Sequence, residues 1–287
     1  MRLYLLSFVL LFAACNSSDE TVKLPVDADF SRVYEYTPAP GQFINDELLS
    51  GFRGENTPDA ACAYADKRLR NNTNPMSFVS LGGWGGSLVV GFDKGIANDG
   101  GYNLLIEGNE FNNSSEPGIV WVAADDNGDG RPNDTWYELR GSESGKSISG
   151  YAVTYTRPAD KASVQWVDNR GASGTIERTD EHKQPQYYPT WISANSYTLT
   201  GTRLPDNVEY KNQQWVTLPF QWGYADNYST EGRDLFRISD AVDASGKAVQ
   251  LARIHFVKIQ TGCHVKAPLI GESSTEVCAI RNYNLLK

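Results

Sequence analysis

Gly118-Ile119-Val120-Trp121-Val122-Ala123-Ala124 carries no charge, amide or hydroxyl group. The run is far too short to span a bilayer. Its β-branched and aromatic residues favour a strand, and the missing polar face places that strand inside a sheet, covered on both sides. The residues around it repeat the message in weaker form. Tyr151, Val153 and Tyr155 alternate with Ala152, Thr154 and Thr156, the pattern of a half-buried strand. Ser87–Phe92, Tyr102–Glu107, Trp136–Arg140, Ser196–Thr200, Gln214–Leu218 and Arg253–Gln260 complete the stronger candidates. Gly, Asn and Asp punctuate the chain between them.

Only one segment reads as a helix. Thr57-Pro58-Asp59 supplies an N-cap, a proline at the first helical position and an acid in the first turn, and alanines follow. The helix is expected over about 58–70, ended by Asn71-Asn72-Thr73-Asn74-Pro75. The fold expected is all-β: a jelly-roll-like two-sheet sandwich with one short N-terminal helix, built as a single domain from residues 33–287.

The N-terminus has a different character. Met1-Arg2 precedes the apolar run Leu3–Phe12, and Ala13-Ala14-Cys15 follows. A short positive start, a short apolar core and small residues before the cut site make an export signal. The cysteine after two alanines marks a bacterial lipoprotein signal, although Phe12 stands where such signals usually carry Leu. The alternative is an ordinary signal peptide with an incidental cysteine. Residues 1–14 are expected to be removed, Cys15 to carry lipid, and residues 15–32 to form a tether. Membrane attachment is then by the lipid anchor only.

Losing Arg2 turns the formal charge of −9 into −10. An acidic chain has no electrostatic reason to bind nucleic acid or anionic lipid. Export places Cys263 and Cys278 where disulfides persist, and a bridge between them is expected, the alternative being two buried thiols. Cys62 falls on the same helical face as Ala65 and Leu69, which fits a packed residue better than a nucleophile.

Asp125-Asp126-Asn127-Gly128-Asp129-Gly130-Arg131-Pro132-Asn133-Asp134 is the strongest chemical motif. Asp125, Asn127 and Asp129 occupy positions 1, 3 and 5 of a calcium loop, Gly130 takes the turn, and Arg131 offers its carbonyl. Trp136 stands where an EF-hand has its closing Glu, so Asp134 is the expected closing carboxylate of a loop between strands. The calcium would be structural. The alternative is a bare acidic hairpin.

Catalytic signals are poor. His182 lies in a charged run and His255 in an apolar strand. Gly141–Ser147 imitates a phosphate loop but is one residue short between its glycines. Glu107, Glu110 and Glu116 are the available carboxylates for a glycan hydrolase. Three aromatic segments are a better lead: Trp84 among four glycines, Tyr187, Tyr188 and Trp191 around Pro189, and Trp222 and Tyr224 next to Asp226 and Asn227. Rings beside amides and carboxylates suit a ligand with an apolar face and a polar rim, such as a sugar or a macrocycle. The alternative is that they plug the ends of the sandwich.

These segments also carry a resemblance. Pro38–Phe43, Leu81–Ser87 with Val90-Gly91-Phe92-Asp93, Glu107-Gly108-Asn109, Glu116–Val120, the acidic loop with Thr135–Leu139, Trp222–Asn227 and Gly271–Glu276 resemble a group of Bacteroidetes proteins described as cell surface proteins, some with PKD-like domains in front. The likeness covers roughly residues 33–278, without the PKD-like part. It implies an outer-membrane, surface-exposed lipoprotein that binds a nutrient, a corrinoid or a glycan, and works beside a TonB-dependent transporter. A glycan-active hydrolase and a structural or adhesive module are the rivals.

Overall fold

The computed structural model describes residues 24–287 except 26, 160–161, 180–181, 183, 229–234 and 268–270. Cys15 and the signal segment lie outside the described residues. All eight strands expected from the sequence are present, with boundaries shifted by a few residues. They belong to open antiparallel sheets in a sandwich-like, mostly β arrangement, not a closed barrel.

The largest sheet has six strands in the order Arg32–Thr37, Ser87–Ala97, Arg253–Thr261, Gly118–Ala123, Tyr137–Leu139 and Ala241–Val242. The apolar Gly118–Ala123 strand is interior, paired on both sides, as its lack of a polar face requires. A four-stranded sheet, Leu235–Phe236, Leu104–Gly108, Glu276–Asn282 and Val79–Ser80, supplies the opposing layer. Leu88, Val90, Val120, Val122, Val257 and Ile259 of the first sheet share one core with Leu104, Ile106, Val277 and Ile280 of the second.

The helix spans Pro58–Leu69, and the Thr57 hydroxyl accepts from the Ala60 N–H at 3.2 Å, as the cap pattern predicts. It buries Ala61, Ala65 and Leu69 against the same core, with Cys62 half-buried beside them. No helix among the described residues is long and apolar enough to cross a membrane.

A further four-stranded sheet goes beyond the two expected: Ser196–Arg203, Ile148–Thr156, Val164–Asp168 and Ser173–Ile176. It has its own core, in which Tyr151, Val153, Tyr155, Val164, Ile176 and Leu199 pack with Trp84, Tyr187 and Tyr188.

Two expectations are corrected. The folded part begins before residue 33: Ala28 and Phe30 are buried, and the Ala28 carbonyl accepts from the Asn282 N–H at 2.7 Å. Phe30 is an aromatic residue with a core to enter, so residues 28–32 are no tether. Cys263 and Cys278 are free thiols. Each turns to a different carbonyl, Cys263 to Pro205 at 3.6 Å and Cys278 to Pro75 at 3.3 Å, so they do not bridge. Burial pushes both thiols well above the usual range, which makes them inert.

Candidate functional site

Trp84 reaches its place because glycines surround it. Gly82 has φ +66°, and a Cβ there would stand 2.0 Å from the Ala39 carbonyl oxygen. The turn presses on residues 39–41, with the Gly83 N–H donating to the Pro40 carbonyl at 3.1 Å. That sends the Trp84 indole across to the additional sheet, where it meets Tyr151 edge to face at 4.7 Å. Trp166 pairs across strands with Gly174, and a Cβ on that glycine would stand 2.7 Å from the Trp166 ring. The missing side chain is what lets the indole lie over the neighbouring strand.

Between these two tryptophans is a cavity of about 240 Å³, closed by Ile176, His264, Glu272 and Ser273. His264 packs against Trp166 with ring centroids 4.4 Å apart. Its protonation follows from its partners. The Tyr151 hydroxyl lies 2.6 Å from Asp168 Oδ2 and 3.0 Å from His264 Nδ1. Desolvation works against the Asp168 charge, but the Tyr151 hydroxyl and the Ala172 and Arg170 N–H groups together hold its carboxyl below the usual range. An ionised carboxylate can only accept, so Tyr151 gives it the phenolic proton. Nδ1 must then donate to the Tyr151 oxygen. Burial, helped by the Arg203 charge, pulls the His264 pKa down to about 4, so the ring is neutral and Nε2 keeps a bare lone pair.

Three enclosed polar atoms of this lining have no hydrogen-bond partner: Trp84 Nε1, His264 Nε2 and Ser273 Oγ. A buried polar group left unpaired costs about 1–3 kcal/mol. All three residues line the cavity, while the unpaired atoms themselves have almost no accessible surface. Glu272 adds a buried carboxyl, held by the Gln42 N–H at 2.6 Å and raised to about 7 by desolvation. It can therefore be a donor or an acceptor near neutral pH.

Two of the aromatic segments singled out in the sequence meet, Trp84 with Tyr187 and Tyr188 in one core, but of these rings only Trp84 belongs to the cavity lining. Trp84 is itself only 1% exposed. Tyr187, Tyr188, Trp191 and Tyr224 are likewise buried in the packing. Their polar tips are satisfied internally. The Tyr187 hydroxyl accepts from the Thr179 N–H, the Tyr188 hydroxyl donates to the Ala194 carbonyl, the Trp191 N–H donates to the Tyr36 carbonyl, and the Tyr224 hydroxyl accepts from the Glu143 N–H. The expectation of open ring faces fails for these residues because each ring is core. Trp222 alone of the six is exposed, at 39%.

Asp226 and Asn227 are also internal, at 1% exposure each. Asn227 closes its own loop, accepting from the Phe220 N–H at 2.7 Å and donating to the Phe220 carbonyl at 2.9 Å. Asp226 lies in a knot of carboxyls with Glu116 and Glu276. Its Oδ2 accepts from the Glu276 N–H at 2.8 Å, Glu116 accepts from the Ser274 N–H at 2.7 Å, and Asn109 donates to Glu276. Desolvation first, and mutual repulsion second, push Asp226 and Glu276 well above the usual carboxylate range. Desolvation, with the Glu272 charge adding to it, lifts Glu116 to about 8. These groups share protons at neutral pH. Glu107, another of the hydrolase candidates, is paired with Arg281.

The acidic loop folds on its own side chains. Gly128 and Gly130 adopt φ +71° and +68°. Asp125 accepts from the Gly130 N–H at 3.1 Å, Asn127 from the Asp129 N–H at 2.9 Å, and Asp129 from the Arg131 N–H at 2.9 Å. Asp125 Oδ1 and Asp134 Oδ2 are enclosed without a partner. Among the described residues no three carboxyl, imidazole or thiol groups are placed to hold a metal between them. A cation here would also need the Asn127 amide oxygen and the Arg131 carbonyl.

Trp166, His264, Glu272 and Ser273 went unsignalled as site residues in the sequence, apart from Glu272 and Ser273 lying within a distinctive Gly271–Glu276 motif. The chain matches no protein-family model and no curated protein in sequence. What the site takes must therefore be argued from its chemistry.

Proposed function

We propose that this protein is a lipid-anchored, surface-exposed lipoprotein of the outer membrane that captures a small glycan unit in the Trp84–Trp166 cavity and delivers it to a TonB-dependent transporter. The supporting observation is that three residues lining one cavity beside two indoles carry unpartnered polar atoms. Aromatic walls suit the apolar face of a sugar ring, and a donor, an acceptor and a hydroxyl suit its rim. The volume of about 240 Å³ lies below the 300 Å³ or so at which drug-sized pockets begin. That favours a single ring over a corrinoid, which could insert only an edge. The anchor and the transporter rest on Cys15 and on the sequence resemblance. Calcium at Asp125, Asn127, Asp129, Arg131 and Asp134 braces the loop, and the enclosed oxygens of Asp125 and Asp134 are what support it.

A thermal-shift series with neutral mono- and disaccharides and with a corrinoid tests the reading, since a ligand held only by the folded state raises its melting temperature. A saturable upward shift with a sugar, lost in Trp166→Ala, is expected. A shift with the corrinoid alone, or with no ligand, contradicts it.

A further inference from the structure

A second cleft, of about 420 Å³, lies at the end of the Tyr137–Leu139 strand and shares no lining residue with the cavity. Its walls carry Tyr102, Arg140, Gln221, Trp222, Arg237 and Asp240. Two guanidinium groups therefore face a single described carboxyl, on a chain whose net charge is −9.

Among the described residues, neither arginine side chain donates a hydrogen bond. Arg140 Nη2 stands 3.9 Å from Asp240 Oδ1, an ion-pair distance too long for a hydrogen bond. Arg237 lies over the Tyr102 ring at 4.3 Å, a contact that holds its plane but takes none of its N–H donors. Burial raises the Asp240 carboxyl, and the Arg237 and Arg140 charges act against that rise.

Trp222 supplies the other half of the site. The residue is 39% exposed, and its backbone is fixed by the Ser142 N–H donating to its carbonyl at 3.1 Å. Gly223, at φ +87°, lets the loop press on Gly141, where a Cβ would stand 2.5 Å from the Gly141 Cα. The indole is thus displayed on a pinned loop rather than on a loose one.

We propose that this cleft binds an acidic sugar, with the sugar ring against Trp222 and its carboxylate between Arg140 and Arg237. A guanidinium fork matches a carboxylate in plane and in spacing. The aromatic face accepts the C–H face of a six-membered ring. This site is separate from the Trp84–Trp166 cavity and stands whether or not that cavity takes a sugar.

The test uses calorimetric titration of the full chain with digalacturonate and with its dimethyl ester, which has the same rings and no charge. The acid should bind at least about tenfold more tightly than the ester, and more weakly as salt is raised. Arg237→Gln and Arg140→Gln should each cost about tenfold for the acid and leave binding of the ester unchanged. Trp222→Ala should weaken both ligands. An unchanged melting curve for each variant separates lost binding from lost folding. Equal affinity for acid and ester, failure of the acid to bind, or competition by inorganic phosphate at equal strength would overturn the proposal.

Discussion

The Tyr151 hydroxyl sits between Asp168 Oδ2, at 2.6 Å, and His264 Nδ1, at 3.0 Å, and so decides which imidazole nitrogen carries the proton. Asp168 takes the phenolic proton, Nδ1 gives its own to Tyr151, and Nε2 is left as an acceptor. The three residues come from two neighbouring strands and the segment after a third. Their arrangement is a property of the folded sheet rather than of any local motif.

This chain of donors makes His264 hard to protonate. With its pKa drawn down to about 4, below the ordinary value of 6.5, the native ring stays neutral while the unfolded chain takes up a proton. Stability contributed here is therefore lost as pH falls from about 6.5 to about 4. Imidazole NMR should show His264 neutral at pH 5. In Tyr151→Phe the Nδ1 partner is gone and the tautomer should become mixed. A His264 that titrates near its ordinary value would show that the ring is neither enclosed nor held as described.

The carboxyl knot has the opposite sign. Glu116 in the knot is raised to about 8, and Glu272 of the cavity lining, whose charge acts on Glu116, to about 7, both from 4.5. The native state holds protons that the unfolded chain has already released, so stability falls as pH rises from about 4.5 through about 8 and is level above that. Glu116→Gln keeps the shape without the titration, and should flatten the decline measured by urea unfolding between pH 6 and 8. Stability rising with pH across that interval, unchanged by the substitution, would contradict a shared-proton knot.

How much of this was legible beforehand depended on where the deciding contacts lay. Gly118–Ala123 was readable because its own residues exclude a solvent face, and the helix because Thr57 and Pro58 are local signals. Val164–Asp168 and Ser173–Ile176 were missed, since their sheet leaves Gln165 and Val167 exposed and puts a glycine opposite Trp166. The rings near Pro189 were misjudged for a different reason. Proline and glycine mark a bend in the chain, but Asn45 decides burial there. Its amide donates to the Gln186 and Tyr188 carbonyls at 2.8 and 2.9 Å, from more than 140 residues away in the chain. Trp84, Trp166 and His264 likewise meet only through long-range pairing, which no spacing rule encodes.

Calcium should stabilise the fold through the 125–134 loop. Metal held only by the native state adds about 2.7 kcal/mol at a hundredfold excess over its Kd. A chelator should lower the melting temperature, and Asp125→Asn should remove that sensitivity. Identical melting curves with and without chelator, in protein free of bound metal, would exclude the loop as a cation site.

Cys15→Ala should release the protein from the membrane fraction or leave it unprocessed. The motivation is the apolar run ending at Ala13-Ala14-Cys15. Fractionation and processing indistinguishable from the wild type would refute the lipid anchor.

The unpartnered Trp84 indole N–H offers the most direct test of glycan capture, because it is an unpaired donor on a residue that lines the cavity. Its ¹H–¹⁵N resonance should move downfield and saturate as a neutral sugar is titrated in, as expected for an N–H that gains an acceptor. Truncating Trp166 should weaken that titration by about 1–3 kcal/mol, the scale of a lost aromatic contact. A Trp84 resonance that stays in place while sugar binds elsewhere, or in the absence of any binding, would contradict the proposed function.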